Sequence, residues 1–276
     1  MRTRARALGR RSFSSSRASV LVETCAGTGV GANDDAYRAA GASIVTTEEA
    51  WRADLVVKVK EIQDADLLHL PEGATLFSFQ HLPGEPGRTR TLAARHATAI
   101  AFEMVRDAQG SFPLLAPMSE IAGRMAVQQG ARLLGRAPKR VLVLGAGHAG
   151  LSAALEAKRM GAQVVVLTRS TRSREAAKAR GFEADIALPQ RIEEEALEAE
   201  VVVGAVFLAA TPTPKLLPRS LVSRMLRGSV IADISIDAGG VAETSCPTTH
   251  ADPSFVAEGV IHYCVPNIPA AAPAEA

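Results

Sequence analysis

Residues 139–170 read KRVLVLGAGHAGLSAALEAKRMGAQVVVLTRS, and this stretch decides the fold. The continuous apolar run at 141–144 is typical of a strand buried on both faces of a parallel sheet. A helix over 149–160 and a second strand over 163–167 complete a β-α-β unit. The pattern therefore predicts a doubly wound α/β domain of the Rossmann type.

A glycine turn joins the first strand to the helix. Gly145, Gly147 and Gly150 stand at the spacing G-x-G-x-x-G. The first glycine permits the tight turn, the second lets backbone approach a pyrophosphate, and the third lets the helix pack closely on the strand. Because the pattern lies between a strand and a helix, it predicts a dinucleotide site. The alternative is a tight turn in an unrelated α/β domain.

The end of the second strand bears on the choice of cofactor. NAD sites usually place Asp or Glu there, to accept hydrogen bonds from the ribose 2′-hydroxyl. This chain has Thr168, followed by Arg169, Arg172 and Arg174. An arginine in that position can pair with a 2′-phosphate, so NAD and NADP both remain candidates. The alternative is a solvated basic loop.

Composition limits the class of protein. The chain has 276 residues, 47% hydrophobic, and a formal charge of +2, which fits a globular protein and does not imply nucleic-acid binding. No apolar run reaches the roughly 18 residues that a membrane span needs. Cys25, Cys246 and Cys264 match no metal motif, so we expect no metal site, a reducing compartment and buried thiols.

Residues 1–19 form a separate segment that is rich in Arg and Ser and has no acidic residue. Such a segment resembles an organelle transit peptide, and the alternative is a disordered start. We therefore expect a cytoplasmic protein, or an organelle-matrix protein if the segment is a transit peptide.

The remaining chain is expected to form two domains. Ser119 is expected to cap a long amphipathic helix that reaches Leu134 just before the nucleotide-binding strand, which suggests a boundary near Pro117. The predicted segments are a leader, an incomplete α/β substrate domain, a Rossmann domain and a Pro/Ala tail. Their bounds are 1–19, 20–117, 118–268 and 269–276.

Two basic side chains follow predicted strands before the boundary. Lys60 ends the strand predicted at 54–60, and His81 follows the one at 75–79. Loops at the carboxyl ends of parallel strands border the ligand crevice in α/β enzymes. Both residues are therefore candidates for chemistry, although most isolated histidines are structural.

An ordered set of motifs runs through residues 20–269. The motifs are VKVKE (57–61), FSFQHL (77–82), LLAPMSEIAGRMA (114–126), GAGHAG (145–150), VVVGAV (201–206), DISIDAGG (233–240), PTTHADP (247–253) and HYCVPNIP (262–269). Together and in this order they resemble alanine dehydrogenase, of the alanine dehydrogenase and nicotinamide nucleotide transhydrogenase family.

The resemblance implies reversible, NAD(P)H-dependent reductive amination of pyruvate to L-alanine, with ammonia as the second substrate, by a homo-oligomer with its active site in a cleft. It implies that Lys60 binds substrate, that His81 is the catalytic acid and base, and that Asp237 is the second catalytic residue. The implied cofactor contacts are Ser119, Gly145, Ala146, Gly147, His148, Ala149, Gly150, Thr168, Arg169, Val206, Phe207, Ile234, Val265, Asn267 and Ile268.

The chain also departs from the family pattern. The family's first strand with its carboxylate-binding arginine, a glycine-rich insertion between Leu134 and Val141, and its C-terminal helices have no counterpart here. These departures leave two other readings open: a truncated, non-catalytic NAD(P)-binding relative, and, more distantly, the NAD-binding subunit of a transhydrogenase.

Overall fold

The computed structural model describes residues 19–82, 86–208 and 211–275. The chain divides into two compact units, one up to Leu115 and one from Ala116 onward. Each unit is built from parallel strands joined through helices, which confirms the predicted α/β class. No helix in the described ranges combines the length and apolarity needed to cross a membrane.

Five short strands in two sheets lie in the described residues of the first unit. Its strands are β1 (Leu21–Glu23), β2 (Ser43–Val45), β3 (Leu55–Val57), β4 (Thr75–Ser78) and β5 (Thr98–Ala101), and its helices are α1 (Asp34–Ala39), α2 (Thr47–Trp51), α3 (Asp64–Leu67) and α4 (Pro86–Ala94). β1 pairs in parallel with β2, and β3, β4 and β5 form a parallel sheet in that order. Their carboxyl ends therefore share one edge of that sheet.

Two helix starts in the first unit follow from the sequence. The Asn33 side chain accepts a hydrogen bond from the N–H of Ala36, which caps α1. Thr46 and Glu49 form the reciprocal capping box of α2. Both caps use residue types that are typical of helix starts, because these side chains satisfy N–H groups that have no partner within the helix.

The second unit is a seven-stranded sheet with helices on both faces. Its strands are β6 (Arg140–Leu144), β7 (Gln163–Thr168), β8 (Glu183–Ile186), β9 (Val201–Gly204), β10 (Val230–Asp233), β11 (Ser254–Ala257) and β12 (Val260–Tyr263), and its helices are α5 (Leu115–Leu134), α6 (His148–Arg159), α7 (Thr171–Ala179), α8 (Pro189–Glu198) and α9 (Arg219–Val222). The order is β11-β12-β10-β9-β6-β7-β8, parallel except for β11. The chain winds outward in both directions from β6 and β9.

The central strand β6 is buried on both faces, as predicted. Val141 and Val143 belong to the hydrophobic core on one face of the sheet, and Leu142 and Leu144 to the core on the other. All four side chains are at most 1% exposed. Because side chains alternate along a strand, a continuous apolar run is what a two-faced sheet requires.

The structure corrects several predictions. Ser119 does not cap α5, because the helix begins at Leu115 and Pro117 is accommodated in its first turn, where its missing N–H loses no helical bond. α7, β8 and β11 were not predicted. The sequences of α7 and β8 are rich in polar residues, and β11 has only four residues. Cys25 and Cys246 are exposed, contrary to expectation. Cys264 is buried, and burial raises the pKa of its thiol to about 12.

Glu200 fixes the entry of the chain into β6. Its carboxylate accepts two hydrogen bonds from Arg136, at 2.7 and 3.0 Å, and one from the N–H of Lys139 at 2.6 Å. The pKa of Glu200 is lowered from 4.5 to about 2, chiefly by the hydrogen bonds from Arg136. A carboxyl whose pKa is lowered by folding stabilises the protein above its unfolded pKa, and that stability is lost as the pH falls toward its folded pKa.

We predict that Glu200→Gln lowers the free energy of unfolding by about 1 kcal/mol at neutral pH. This value is small for charge-assisted hydrogen bonds, because Arg136 is half exposed and solvent weakens its attraction to the carboxylate. The difference from the parent should disappear between pH 4.5 and about 2. Urea unfolding across this pH range measures it. Glu193→Gln, which breaks a more exposed pair with Arg224, is the control and should change stability by less than about 0.5 kcal/mol. An equal loss at all pH values would contradict the account.

Candidate functional site

The residues expected to contact a cofactor gather at one edge of the seven-stranded sheet. Gly145 follows β6, Thr168 ends β7, Val206 lies just past β9, Ile234 follows β10 and Val265 lies just past β12. These strands run in parallel, so their carboxyl ends share an edge. The winding reverses between β6 and β9, and ligands of open α/β sheets bind at such a reversal.

The glycine turn packs so tightly that two of its positions exclude a side chain. Gly145 has a φ of 110°, and a Cβ there would lie 2.2 Å from the carbonyl oxygen of Ala205. A Cβ on Gly150 would lie 1.9 Å from the carbonyl oxygen of Gly145. Gly123 of α5 is constrained in the same way, with its Cβ position 2.0 Å from the carbonyl oxygen of Ala149. Strand, turn and both helices are therefore in backbone contact.

Gly147 differs from these glycines, because a Cβ there would meet nothing within 4 Å. It is the N-cap of α6 and provides no side-chain cap for the helix N–H groups. An uncapped helix amino end beside open space suits an anionic group such as a pyrophosphate. The residues present therefore fit a dinucleotide at this turn.

Neighbouring side chains define the surroundings of the turn. The ring of His148 is exposed, and its Nδ1 lies 3.2 Å from Glu120 of α5. The carbonyl of Glu120 accepts a hydrogen bond from Ser152, at 2.7 Å. Ser119, the residue before Glu120, therefore lies on the part of α5 that borders the amino end of α6.

The loop that carries Asp237 is held by a buried carboxylate. Asp233 is 0% exposed and accepts hydrogen bonds from the N–H groups of Ser235 (3.1 Å) and Val241 (2.7 Å) and from the hydroxyl of Ser245 (2.6 Å). Burial outweighs these bonds and raises the pKa of Asp233. Asp237 itself is exposed, in the 3₁₀ helix Ile234–Ala238.

The other predicted contacts lie nearby on the same unit. The N–H of Val206 donates to the hydroxyl of Ser235 at 2.8 Å, which links the ends of β9 and β10. Phe207 is about half exposed. The side chains of Val265 and Ile268 belong to the hydrophobic core, so only their backbone could face a ligand. Asn267 has a left-handed backbone, with a φ of 54°.

Lys60 and His81 belong to the first unit, past the ends of β3 and β4. The Lys60 ammonium lies 3.2 Å from Glu61, and both side chains are largely buried. Burial tends to raise the pKa of Glu61, but Lys60 and, less strongly, His81 outweigh it, so the pKa of Glu61 is lowered. The Glu61 carboxylate therefore interacts with both basic side chains.

His81 has an unusual backbone for its residue type. Its φ is 49°, in the left-handed region, which costs a non-glycine residue about 1 to 3 kcal/mol. Its ring is nearly parallel to that of Phe79, with centroids 6.0 Å apart. Its N–H donates to the buried carboxylate of Glu103 at 2.7 Å.

Sequence reasoning missed Glu61, Glu103 and Asp233 as parts of the site. Glu61 could have been noticed, because it follows Lys60 directly in the VKVKE motif. Glu103 carries no local signal, since its contacts lie 22 and 23 positions away in the chain. In the ranges that the structure describes, no cluster of His, Cys, Asp and Glu could hold a metal.

Comparisons with known proteins identify the family of the chain. Residues 9–122 match the alanine dehydrogenase/PNT N-terminal domain, and residues 116–276 match the alanine dehydrogenase/PNT C-terminal domain. The chain is 41% identical to an alanine dehydrogenase of Halomonas elongata, covering 91% of this chain and 73% of the relative. It is 40% identical to an alanine dehydrogenase of Mycolicibacterium smegmatis, covering 92% and 74%.

Two solved structures show the same architecture. An L-alanine dehydrogenase superimposes with a TM-score of 0.82 at 38% identity, over 93% of this chain and 76% of the other. A transhydrogenase from Sinorhizobium meliloti superimposes with a TM-score of 0.80 at 25% identity, over 93% and 80%. On these matches, which confirm the resemblance of the motifs, the chain belongs to the alanine dehydrogenase/PNT family.

Proposed function

We propose that this chain is a nicotinamide-dependent amino-acid dehydrogenase that reductively aminates pyruvate to L-alanine and catalyses the reverse reaction. Its similarity at 41% identity to a protein named alanine dehydrogenase, over 91% of the chain, carries the proposal. The match to a transhydrogenase is weaker, at 25% identity. In the forward direction pyruvate, ammonium, the reduced cofactor and a proton yield alanine, water and the oxidised cofactor.

The chemistry assigns a separate role to each polar residue. The Lys60 ammonium binds the substrate and polarises its carbonyl. His81 transfers protons as ammonia adds and water leaves, a role worth about 10² to 10⁴ in rate for a placed acid and base. Asp237, exposed at its strand end, orients ammonia or stabilises the iminium charge. The bound cofactor supplies the hydride.

Glu61 completes the assignment. Its carboxylate lies 3.2 Å from the Lys60 ammonium and interacts with His81. The attraction of this carboxylate holds the Lys60 ammonium in place for substrate binding. The largely buried setting strengthens that attraction compared with water.

The cofactor is proposed to lie along the carboxyl edge of the seven-stranded sheet. Gly147 would let the backbone approach its pyrophosphate at the turn that Gly145 and Gly150 make possible, and Val206, Ile234 and Asn267 would contact the cofactor beside the strand ends. Gly147 supports this placement, because the space beyond its α-carbon is open.

We further propose that the chain accepts NADP(H) at least as well as NAD(H). Thr168 at the end of β7 is buried and has no charge, whereas Arg169 and Arg172 are exposed. Arg174 is already paired with Glu175 and Asp185. Two arginines beside an uncharged strand end suit a 2′-phosphate better than a 2′-hydroxyl.

We predict that Gly147→Ala weakens the binding of both reduced cofactors at least about tenfold, because the added methyl enters the open space proposed for the pyrophosphate. It should lower the free energy of unfolding by no more than about 1 kcal/mol, since alanine is a poorer N-cap than glycine. Fluorescence titration and thermal unfolding measure the two effects. Gly150→Ala is the contrasting variant, because its methyl would overlap the Gly145 carbonyl. We expect it to lower the free energy of unfolding by about 1 to 3 kcal/mol or more. Unchanged affinity in Gly147→Ala would exclude a pyrophosphate at this turn.

We predict that Arg169→Ala weakens the binding of NADPH about tenfold to a hundredfold and leaves the binding of NADH nearly unchanged. The size of the effect corresponds to the loss of one charge-assisted hydrogen bond. Titration of both cofactors against parent and variant tests this. Arg180→Ala makes the same charge change at the other end of α7 and should alter neither affinity. Clearly tighter binding of NADH than NADPH by the parent would refute the proposed preference.

We predict that His81→Ala lowers kcat for reductive amination by about 10² to 10⁴ and spares cofactor affinity. Steady-state rates with pyruvate and ammonium, together with cofactor titration, test this. His96→Ala is the matched control, because His96 is an exposed histidine of the same unit with a similar left-handed backbone, φ 52°. Near-normal kcat in His81→Ala would remove the acid-base assignment.

A further inference from the structure

His81 lies in a short segment whose backbone is held from several sides. The segment follows β4, where the N–H of Phe79 still donates to the carbonyl of Val59, at 3.2 Å. Gln80 is 0% exposed, and its side-chain amide donates to the hydroxyl of Ser78 at 2.8 Å. The carbonyl of Gln80 accepts a hydrogen bond from Arg88 at 3.3 Å. The chain is therefore constrained immediately before it reaches His81.

Glu103 provides the remaining constraint. It lies in the 3₁₀ helix Phe102–Met104, just after β5, which is the neighbour of β4 in the sheet. Its carboxylate accepts the N–H of Gln80 through both oxygens at 3.2 Å, and the N–H of His81 at 2.7 Å. Glu103 is 7% exposed, and across the described residues no cation forms an ion pair with it. Its buried charge is therefore directed at two consecutive backbone amides.

Two fixed N–H directions fix two peptide planes. These are the planes on either side of the Gln80 α-carbon, so the bonds fix the backbone of Gln80 and the place and N–H direction of the His81 nitrogen. The φ of His81 turns about the bond that starts at this nitrogen, and it lies in the left-handed region, from which an L-residue relaxes unless its surroundings hold it. Glu103 therefore anchors the atom from which the His81 backbone and its imidazole extend.

We propose that Glu103 is a positioning residue for the reaction: by anchoring the backbone nitrogen of His81, it aims the imidazole at the substrate. This inference rests on the proposed function, in which His81 transfers protons. Glu103 touches neither the imidazole nor a reacting atom, so it acts through the backbone alone. An imidazole displaced by about 1 Å can cost on the order of a hundredfold in rate.

The chain contains a matched contact elsewhere in the same unit. Cys25, just after β1, also has a left-handed backbone, with a φ of 59°. Its N–H donates to the carboxylate of Asp34 at 2.7 Å. Asp34→Asn therefore disturbs the same kind of contact at a residue with no assigned role in the reaction.

The test compares Glu103→Gln, Asp34→Asn, His81→Ala and the double variant of Glu103 and His81 in the full chain. In Glu103→Gln the amide keeps one acceptor oxygen and turns its NH₂ group toward a backbone donor. We expect kcat to fall at least about tenfold in this variant, with cofactor affinity unchanged, and to stay within about twofold of the parent in Asp34→Asn. Glu103→Asp, which keeps the charge but is one methylene shorter, replaces Glu103→Gln if that variant does not fold.

The double variant separates positioning from general stability. If Glu103 acts only through His81, adding Glu103→Gln to His81→Ala lowers kcat no further, because the effects of residues that act as a unit are not additive. A kcat within twofold of the parent in Glu103→Gln, alongside an inactive His81→Ala, overturns the inference and leaves the proposed function standing. A further tenfold fall in the double variant also overturns it.

A spectroscopic measurement keeps the inference testable if the parent has no pyruvate- and ammonium-dependent turnover, an outcome that would reject the proposed function. In protein labelled with ¹⁵N-histidine, the His81 amide is identified by its absence from His81→Ala. We expect Glu103→Gln to shift this resonance and to accelerate its hydrogen exchange, while Asp34→Asn does neither. An unchanged His81 amide in Glu103→Gln shows that the carboxylate does not hold this backbone.

Discussion

The contact between the Gly145 carbonyl and the α-carbon of Gly150 is the constraint on which the second unit depends. A Cβ at Gly150 would come within 1.9 Å of that oxygen, so α6 can approach β6 only where side chains are absent. β6 pairs with β7 on one side and β9 on the other, and the winding of the sheet reverses there. The close approach therefore places the amino end of α6 at the reversal, where an anionic ligand can meet its N–H groups.

Buried carboxylates provide hydrogen-bond acceptors at the ends of two strands. Backbone N–H groups beyond the last ladder bond need a partner, and water is excluded there. Asp233 accepts hydrogen bonds from backbone N–H groups of the loop that carries Asp237. Glu103 does the same for the turn that carries His81. In each unit a catalytic candidate thus sits on backbone held by an acid that is itself inaccessible to substrate. Rigid support of this kind is what a site needs when most of its work is positioning.

The sequence predicted the parts of the molecule that depend on local patterns. The glycine turn and the apolar run of β6 each lie within a few consecutive residues, and both were recognised. α7 and β8 were missed because Ala177 and Ala184 are their only fully buried side chains among the described residues, which leaves little periodicity to detect. The roles of Glu103 and Asp233 depend on partners brought together by folding. No spacing in the chain reveals them.

The most direct test of the proposed activity follows the nitrogen atom. The purified chain is supplied with pyruvate, ¹⁵N-ammonium and reduced cofactor, and the products are analysed by mass spectrometry and chiral chromatography. The account predicts one ¹⁵N-labelled L-alanine for each cofactor oxidised, and no oxidation when either pyruvate or ammonium is omitted. Cofactor oxidation that yields lactate, or a folded chain that binds cofactor and forms no labelled alanine, would contradict it.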